Sequence, residues 1–294
     1  MRKWTAIAFA TVLETVSDPL ALLLTASALT LAVLAPRLHY HQFGEPSRMA
    51  REAGLSALLV FGLAYVVFGA VKAMRREMES GTIQMALSHS ISRASFFTAK
   101  IAGVFVSYAF FFLTVFCSSL AAVRGSEIGA EIAAAKGTLP LMWGPSFALA
   151  FAALVVSPIV AAALNRFMRF RFVPTCAMCA LVVSVAAAFY MPDASLALRY
   201  LGAACALPIP AAVFVSIAGA AASRLKDHAA VSVSLLSILV SLPFIGNYYL
   251  PDELADGGAV SPGYLALSLA AALPLVAAAL IAGVQLFKGR DMAE

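Results

Sequence analysis

Eight long stretches of this chain contain no Asp, Glu, Lys, Arg or His: Pro19–Ala35, Gly54–Val71, Ile101–Val123, Leu141–Leu164, Val173–Tyr190, Leu201–Ala222, Ala229–Leu250 and Tyr264–Phe287. A run of about 20 apolar residues matches the roughly 30 Å hydrocarbon core of a bilayer when it is helical. Inside that core every backbone group must be bonded within the segment, so helices are the natural solution. Only 12% of residues are charged, against about 25% in ordinary soluble domains. The expected fold class is all-α: a polytopic helical membrane protein. It has six to eight transmembrane helices, an N-terminal interfacial helix over 1–18 and a short cytosolic helix between the second and third runs. The longest polar connectors are under about 30 residues, too short for an independent soluble core, so residues 1–294 read as one transmembrane domain.

The polar connectors set the orientation. Counting Lys and Arg between alternate runs puts 14 on one side and 6 on the other. By the positive-inside rule the richer side is cytosolic, which places both termini there. Arg2, Lys3 and Trp4 begin an amphipathic stretch interrupted by Glu14, without the unbroken apolar core of a secretory signal. Asp18-Pro19 reads as an N-cap followed by the first helical residue. Residues 36–53, 124–140, 191–200 and 251–263 are expected as outer connectors. Pro208 and Pro210 predict a kink or break in the sixth run, which makes that run the best candidate for not crossing cleanly. Gly62 and Gly69 lie seven apart on one face of the second run, where small residues permit close helix approach.

The segment Arg75–Lys100, RREMESGTIQMALSHSISRASFFTAK, is the longest and most polar connector of the cytosolic side. Arg75, Arg76, Glu77 and Glu79 come first, with charge pairs expected among them or with a partner. Ser80-Gly81-Thr82 breaks the run, and Gly81 permits a tight turn. Ile83, Ala86 and Leu87 then recur at i, i+3, i+4, the spacing of one apolar helix face. Ser90, Ser92 and Arg93 lead into the third run. This pattern describes a short helix lying across the membrane face, offered to a partner; a solvated loop is the alternative.

The order Glu77-x-Glu79-x-Gly81-Thr82, Leu87-Ser88, Ile91-Ser92-Arg93 and Lys100 resembles the cytosolic segment of ABC-2 type transporter permeases, nearest the small permeases associated with multicopper-enzyme maturation. The match covers about 25 residues. Many relatives carry Pro where this chain has Ser90, and the family usually has six spans. The resemblance implies a single ABC-2 permease domain with 72–100 as the coupling segment. It implies that Arg76, Glu77, Glu79, Gly81, Thr82, Ile83, Leu87 and Arg93 act in docking to an ATPase rather than in chemistry. It also implies a cytosolic ATPase subunit as partner, a second permease copy or homologue, export across the inner membrane, and no enzymatic activity or cofactor on this chain. No Gly-Lys dipeptide occurs, so the chain has no Walker A phosphate loop, and ATP hydrolysis would belong to another polypeptide.

The remaining motifs are weaker. Asn165–Phe172, NRFMRFRF, interleaves arginines with aromatics; between two apolar runs it reads as a turn anchored to anionic headgroups rather than a nucleic-acid patch. Cys176 and Cys179 stand one helical turn apart, and His39 and His41 flank Tyr40; packing and a solvated loop stand against redox or metal binding for these pairs. Ser107, Tyr108, Thr114 and Ser118 either line a substrate path or bond between helices. The uncharged runs argue against proton- or ion-coupled transport and intramembrane metalloproteolysis, which keep ionisable groups at depth. A secondary transporter or channel not driven by ATP is the alternative function.

Overall fold

The computed structural model describes residues 2–38, 46–79, 91–136, 145–190, 200–249 and 260–289. Among them the chain forms helices α1 (Arg2–Val16), α2 (Pro19–Leu38), α3 (Pro46–Glu79), α4 (Arg93–Lys136), α5 (Pro145–Met168), α6 (Phe172–Tyr190), α7 (Pro208–Ala222), α8 (Asp227–Tyr249) and α9 (Pro262–Lys288), with no strand. Six stretches are long and apolar enough to cross a membrane: 48–78, 93–128, 151–168, 172–189, 200–222 and 262–288. α1 and α2 reach that standard only when taken together across a 62° bend, which would make a seventh span. The apolar part of α8, Asp227–Ser241, is shorter.

The bend between α1 and α2 follows the sequence signal. Asp18 N closes on Thr15 O at 3.2 Å, and the Asp18 carboxylate accepts from Leu20 N at 3.0 Å. That is N-cap geometry, and Pro19 needs no donor at the first helical position. In the sixth run the break is local. Pro208 and Pro210 cannot donate, and Leu207 N and Ile209 N turn instead to Ala204 O (3.0 Å) and Ala206 O (3.3 Å), one residue short of α-helical spacing. Despite the break, 200–222 is long and apolar enough to cross a membrane as one stretch.

Two connectors are shorter than the charge pattern suggested. α3 begins at Pro46, inside the expected 36–53 loop, and α4 runs on through Arg124 to Lys136 where a loop was expected. The sequence after Val123 carries four Ala and two Glu before Lys136, residues that sustain a helix in water as well as in lipid. At 44 residues, α4 is about 66 Å long, more than twice the hydrocarbon thickness.

α3 and α4 pack along most of their lengths and form the centre with α7. Gly62 and Gly69 face α4 as their spacing suggested: a Cβ at either would lie 3.0 Å from Tyr108 or Val104. α1 crosses α4 at Gly103, where an added Cβ would lie 2.6 Å from Ala8 O. α5 and α6 form a hairpin at the periphery, turning through Arg169 in the left-handed region (φ 57°). Trp4 Nε1 donates to Thr98 Oγ1 at 3.3 Å, and Arg93 Nη1 donates to Lys288 O at 2.8 Å. The start of α1 and the end of α9 therefore meet the same end of the bundle. This connector end is where α3 finishes and α4 begins; α3 starts and α4 finishes at the far end.

Candidate functional site

Charged residues at the connector end tie together helices that are far apart in sequence. Lys100, one residue before the third apolar run, is 2% exposed. Its Nζ lies 2.8 Å from Glu77 on α3 and 3.4 Å from Glu14 on α1, with the Phe96 ring centroid 5.8 Å away. One turn up α3, Lys72 Nζ meets Asp18 at 2.5 Å, on the carboxylate that caps α2. Arg75 bonds Asp227 in the first turn of α8, where the helix dipole also favours an acidic side chain. Glu14, Asp18, Lys72 and Arg76 line a polar cavity of about 20 Å³, room for one water. Five helices, α1, α2, α3, α4 and α8, are joined in this way.

The geometry follows from helical spacing. Lys72, Arg75 and Arg76 occupy one turn of α3, so their side chains fan out to α2 on one side and α8 on another. Glu14 and Asp18 flank the α1–α2 bend and so reach different cations. Taking Lys100 out of water costs several kcal/mol per ion unless it is paired, and Glu77 supplies that pairing. The apolar runs as bounded carry no charge, yet Lys100 at their edge is drawn inside.

The docking residues expected from the resemblance divide into three groups. Arg76 is exposed beside the small cavity, Glu77 is half-buried against Lys100, and Arg93 is half-buried with its guanidinium on the last carbonyl of α9. Glu79 ends α3. Gly81, Thr82, Ile83 and Leu87 lie outside the described residues. Ser92 Oγ accepts from Ser95 N at 3.1 Å, an N-cap for α4. Glu77 thus has a buried partner on α4, which local pairing with Arg75 or Arg76 did not foresee. Sequence reading also missed Asp18 and Asp227 as partners; the signal available was an acidic residue at each helix start opposite a basic α3 end.

The third-run hydroxyls are buried. Ser107 bonds Val104 O and Thr114 bonds Phe110 O on their own helix, both at 2.7 Å. Tyr108 packs against Gly62. They are buried in the helix packing, and Thr114 also lines a cavity of about 30 Å³ between α2, α4 and α6. Cys176 lies 3.9 Å from Ser157 Oγ, linking α6 to α5, and Cys179 is partly exposed. Among the described residues no three of His, Cys, Asp or Glu converge as a metal site; His39 and His41 lie outside them.

Comparison with known proteins adds no relative: no family model, curated protein or solved structure matches the chain.

Proposed function

We propose that this chain is the membrane-spanning permease subunit of an ATP-binding-cassette transporter, an exporter of the inner membrane that couples to a separate cytosolic ATPase. The connector end is then cytosolic, with both termini on that side, and a second permease copy or homologue completes the transporter. ATP is hydrolysed on the partner chain.

The observation that carries this reading is the rooting of the 75–93 segment. One flank ends in Arg75 on α8 and Glu77 on Lys100, the other in Arg93 on the end of α9. A partner pressing on the segment would move paired charges on α1, α4 and α8 together, which is what coupling to an external motor requires. Ile83 and Leu87 supply the apolar contact with the ATPase, while Arg76, Glu79, Gly81 and Thr82 shape and orient it.

Purification of tagged protein from native membranes in mild detergent, with mass spectrometry and an ATPase assay, tests this reading. A stoichiometric ATPase that is lost when Ile83 and Leu87 are both changed to Asp supports it. A homo-oligomer free of ATPase, under conditions that keep other membrane complexes intact, contradicts it.

Burial of Lys100 between two carboxylates favours a second reading, a secondary transporter, because ion-coupled carriers keep ionisable groups inside. Uptake driven by a proton gradient in vesicles without ATPase, abolished by Glu77→Gln, would decide for it.

A further inference from the structure

The turn between α5 and α6 takes no part in the ionic network of the connector end. α5 ends at Met168 and α6 begins at Phe172, so the chain reverses over three residues. Asn165 closes the reversal: its Nδ2 donates to Phe170 O at 2.6 Å, and its carbonyl accepts from Arg169 N at 3.1 Å. Thr175 Oγ1 donates to Arg171 O at 2.7 Å on the other side. Arg169, in the left-handed region, lets the chain turn back. The turn therefore has a built shape. Its surface combines two chemistries. Phe167 is 85% exposed, Met168 65%, Phe170 52% and Phe172 39%. Arg166, Arg169 and Arg171 are exposed among them, and among the described residues none of the three forms an ion pair. They are also the only Lys or Arg between Lys136 and Arg199, and no Asp or Glu occurs between Glu131 and Asp193. Nothing in the hairpin neutralises them.

The position of the turn says what surrounds it. Near the α1–α2 bend, Ala177 and Met178 of α6 line a small cavity with Val16 and Ala21. Toward the far end, Ala187 of α6 packs with Val33, Ala121 and Ala122, beside Phe151 of α5. The turn thus lies at the connector end, as do the start of α1 and the end of α9. The two spans that carry it are only 17% and 22% buried, so lipid and not protein covers most of the hairpin. Four exposed apolar side chains are unfavourable in water, and three guanidinium groups are unfavourable in hydrocarbon. The headgroup layer where the spans end satisfies both, with the rings at the acyl boundary and the arginine stems along them, charge toward phosphate.

We propose that the 165–172 turn is a binding site for anionic phospholipids of the leaflet at the connector end. Phosphate oxygens accept from Arg166, Arg169 and Arg171, while Phe167, Met168, Phe170 and Phe172 enter the acyl boundary beside them. A guanidinium suits phosphate because two parallel N–H donors meet two oxygens. Positive charge that the hairpin does not neutralise selects an anionic head over a zwitterionic one. The site anchors a hairpin that other helices hold weakly, and it is independent of what drives the protein.

The test uses full-length protein in phosphatidylcholine nanodiscs doped with phospholipid probes that carry a diazirine close to the glycerol. One probe has a phosphatidylglycerol head and the other a phosphatidylcholine head. Cross-linked peptides should include 165–172, with the anionic probe favoured there about tenfold or more at low salt, as several arginines at a charged surface allow, and less at high salt. Changing Arg166 and Arg171 together to Gln should cut the preference at least about fivefold while leaving phosphatidylcholine labelling unchanged, which also shows that the variant is folded and inserted. Changing both to Lys should retain most of it. Asn165→Ala keeps every charge but frees the turn, and should lower the preference. Equal labelling of the turn by both probes in the unmodified protein, or a preference indifferent to the double Gln change, would overturn the proposal. A full preference in Asn165→Ala would overturn a built site and leave diffuse surface charge alone. Cross-links from the turn to a second copy or to a co-purified protein, in place of lipid, would overturn the lipid as occupant.

Discussion

The centre and the periphery of this bundle are built from similar apolar sequence but behave as different materials. The central spans, on α3, α4 and the stretch 200–222, are 67%, 61% and 61% buried; the peripheral ones, on α5, α6 and α9, are 17%, 22% and 11% buried. Charge follows the same division. Among the described residues the cross-helix ion pairs involve α3 or α4. The peripheral helices present Ile159, Val182, Phe189, Leu267 and Ile281 outward instead. A helix whose outer face is solvated by hydrocarbon gains little from burying it, because lipid tails are as apolar as Leu. What holds the centre together is therefore close packing at small residues and paired charge, not apolarity as such.

That contrast can be broken most sharply at Lys100. Lys100→Met keeps the volume but leaves Glu77 facing a buried apolar group, and should destabilise the protein by about 3 kcal/mol, read as a fall in thermal midpoint in nanodiscs. Gly103→Val tests packing without charge. Its side chain would drive into Ala8 O and Thr11 of α1, at a cost of about 1–3 kcal/mol, and Trp4 fluorescence should report the displaced α1. At the periphery, Leu267→Ala on the lipid face of α9 should change stability by less than about 0.5 kcal/mol. A loss as large as that at Gly103 would mean that a second copy covers this face. The smallest effect has the opposite sign. Arg169 holds a left-handed conformation that costs a non-glycine residue about 1 kcal/mol, so Arg169→Gly should raise stability slightly in the same thermal assay.

Much of the architecture could be read from local signals. Asp18-Pro19 marks the α1–α2 bend, Pro208 and Pro210 mark the break before α7, and the Gly62–Gly69 spacing marks the face of α3 that meets α4. Each depends on neighbours within a few residues. The α4 extension past Val123 was misread because its charges suggested a loop, although Ala, Glu and Lys are also strong helix formers. The connector-end charges were legible as residues but not as a site. Arg75 and Asp227 are 152 positions apart, and Lys100 and Glu14 are 86 apart, so their pairing follows from helix packing that no local pattern specifies. Lys100 looked like the last residue of a polar connector; the packing of α3 and α1 against α4 brings Glu77 and Glu14 onto it.

The central claim is that the root of the 75–93 segment is an ionic knot joining α3 to α4 and α1. A double-mutant cycle of Glu77→Gln and Lys100→Met in nanodiscs measures it directly. Glu77 is 19% exposed and Glu14 38% exposed, so Glu77 should carry most of the coupling. The knot predicts a double variant more stable than the sum of the single losses by at least about 1 kcal/mol. Additive losses would mean that Lys100 is held by packing alone, and that Glu77 gives the segment no charged link to α4.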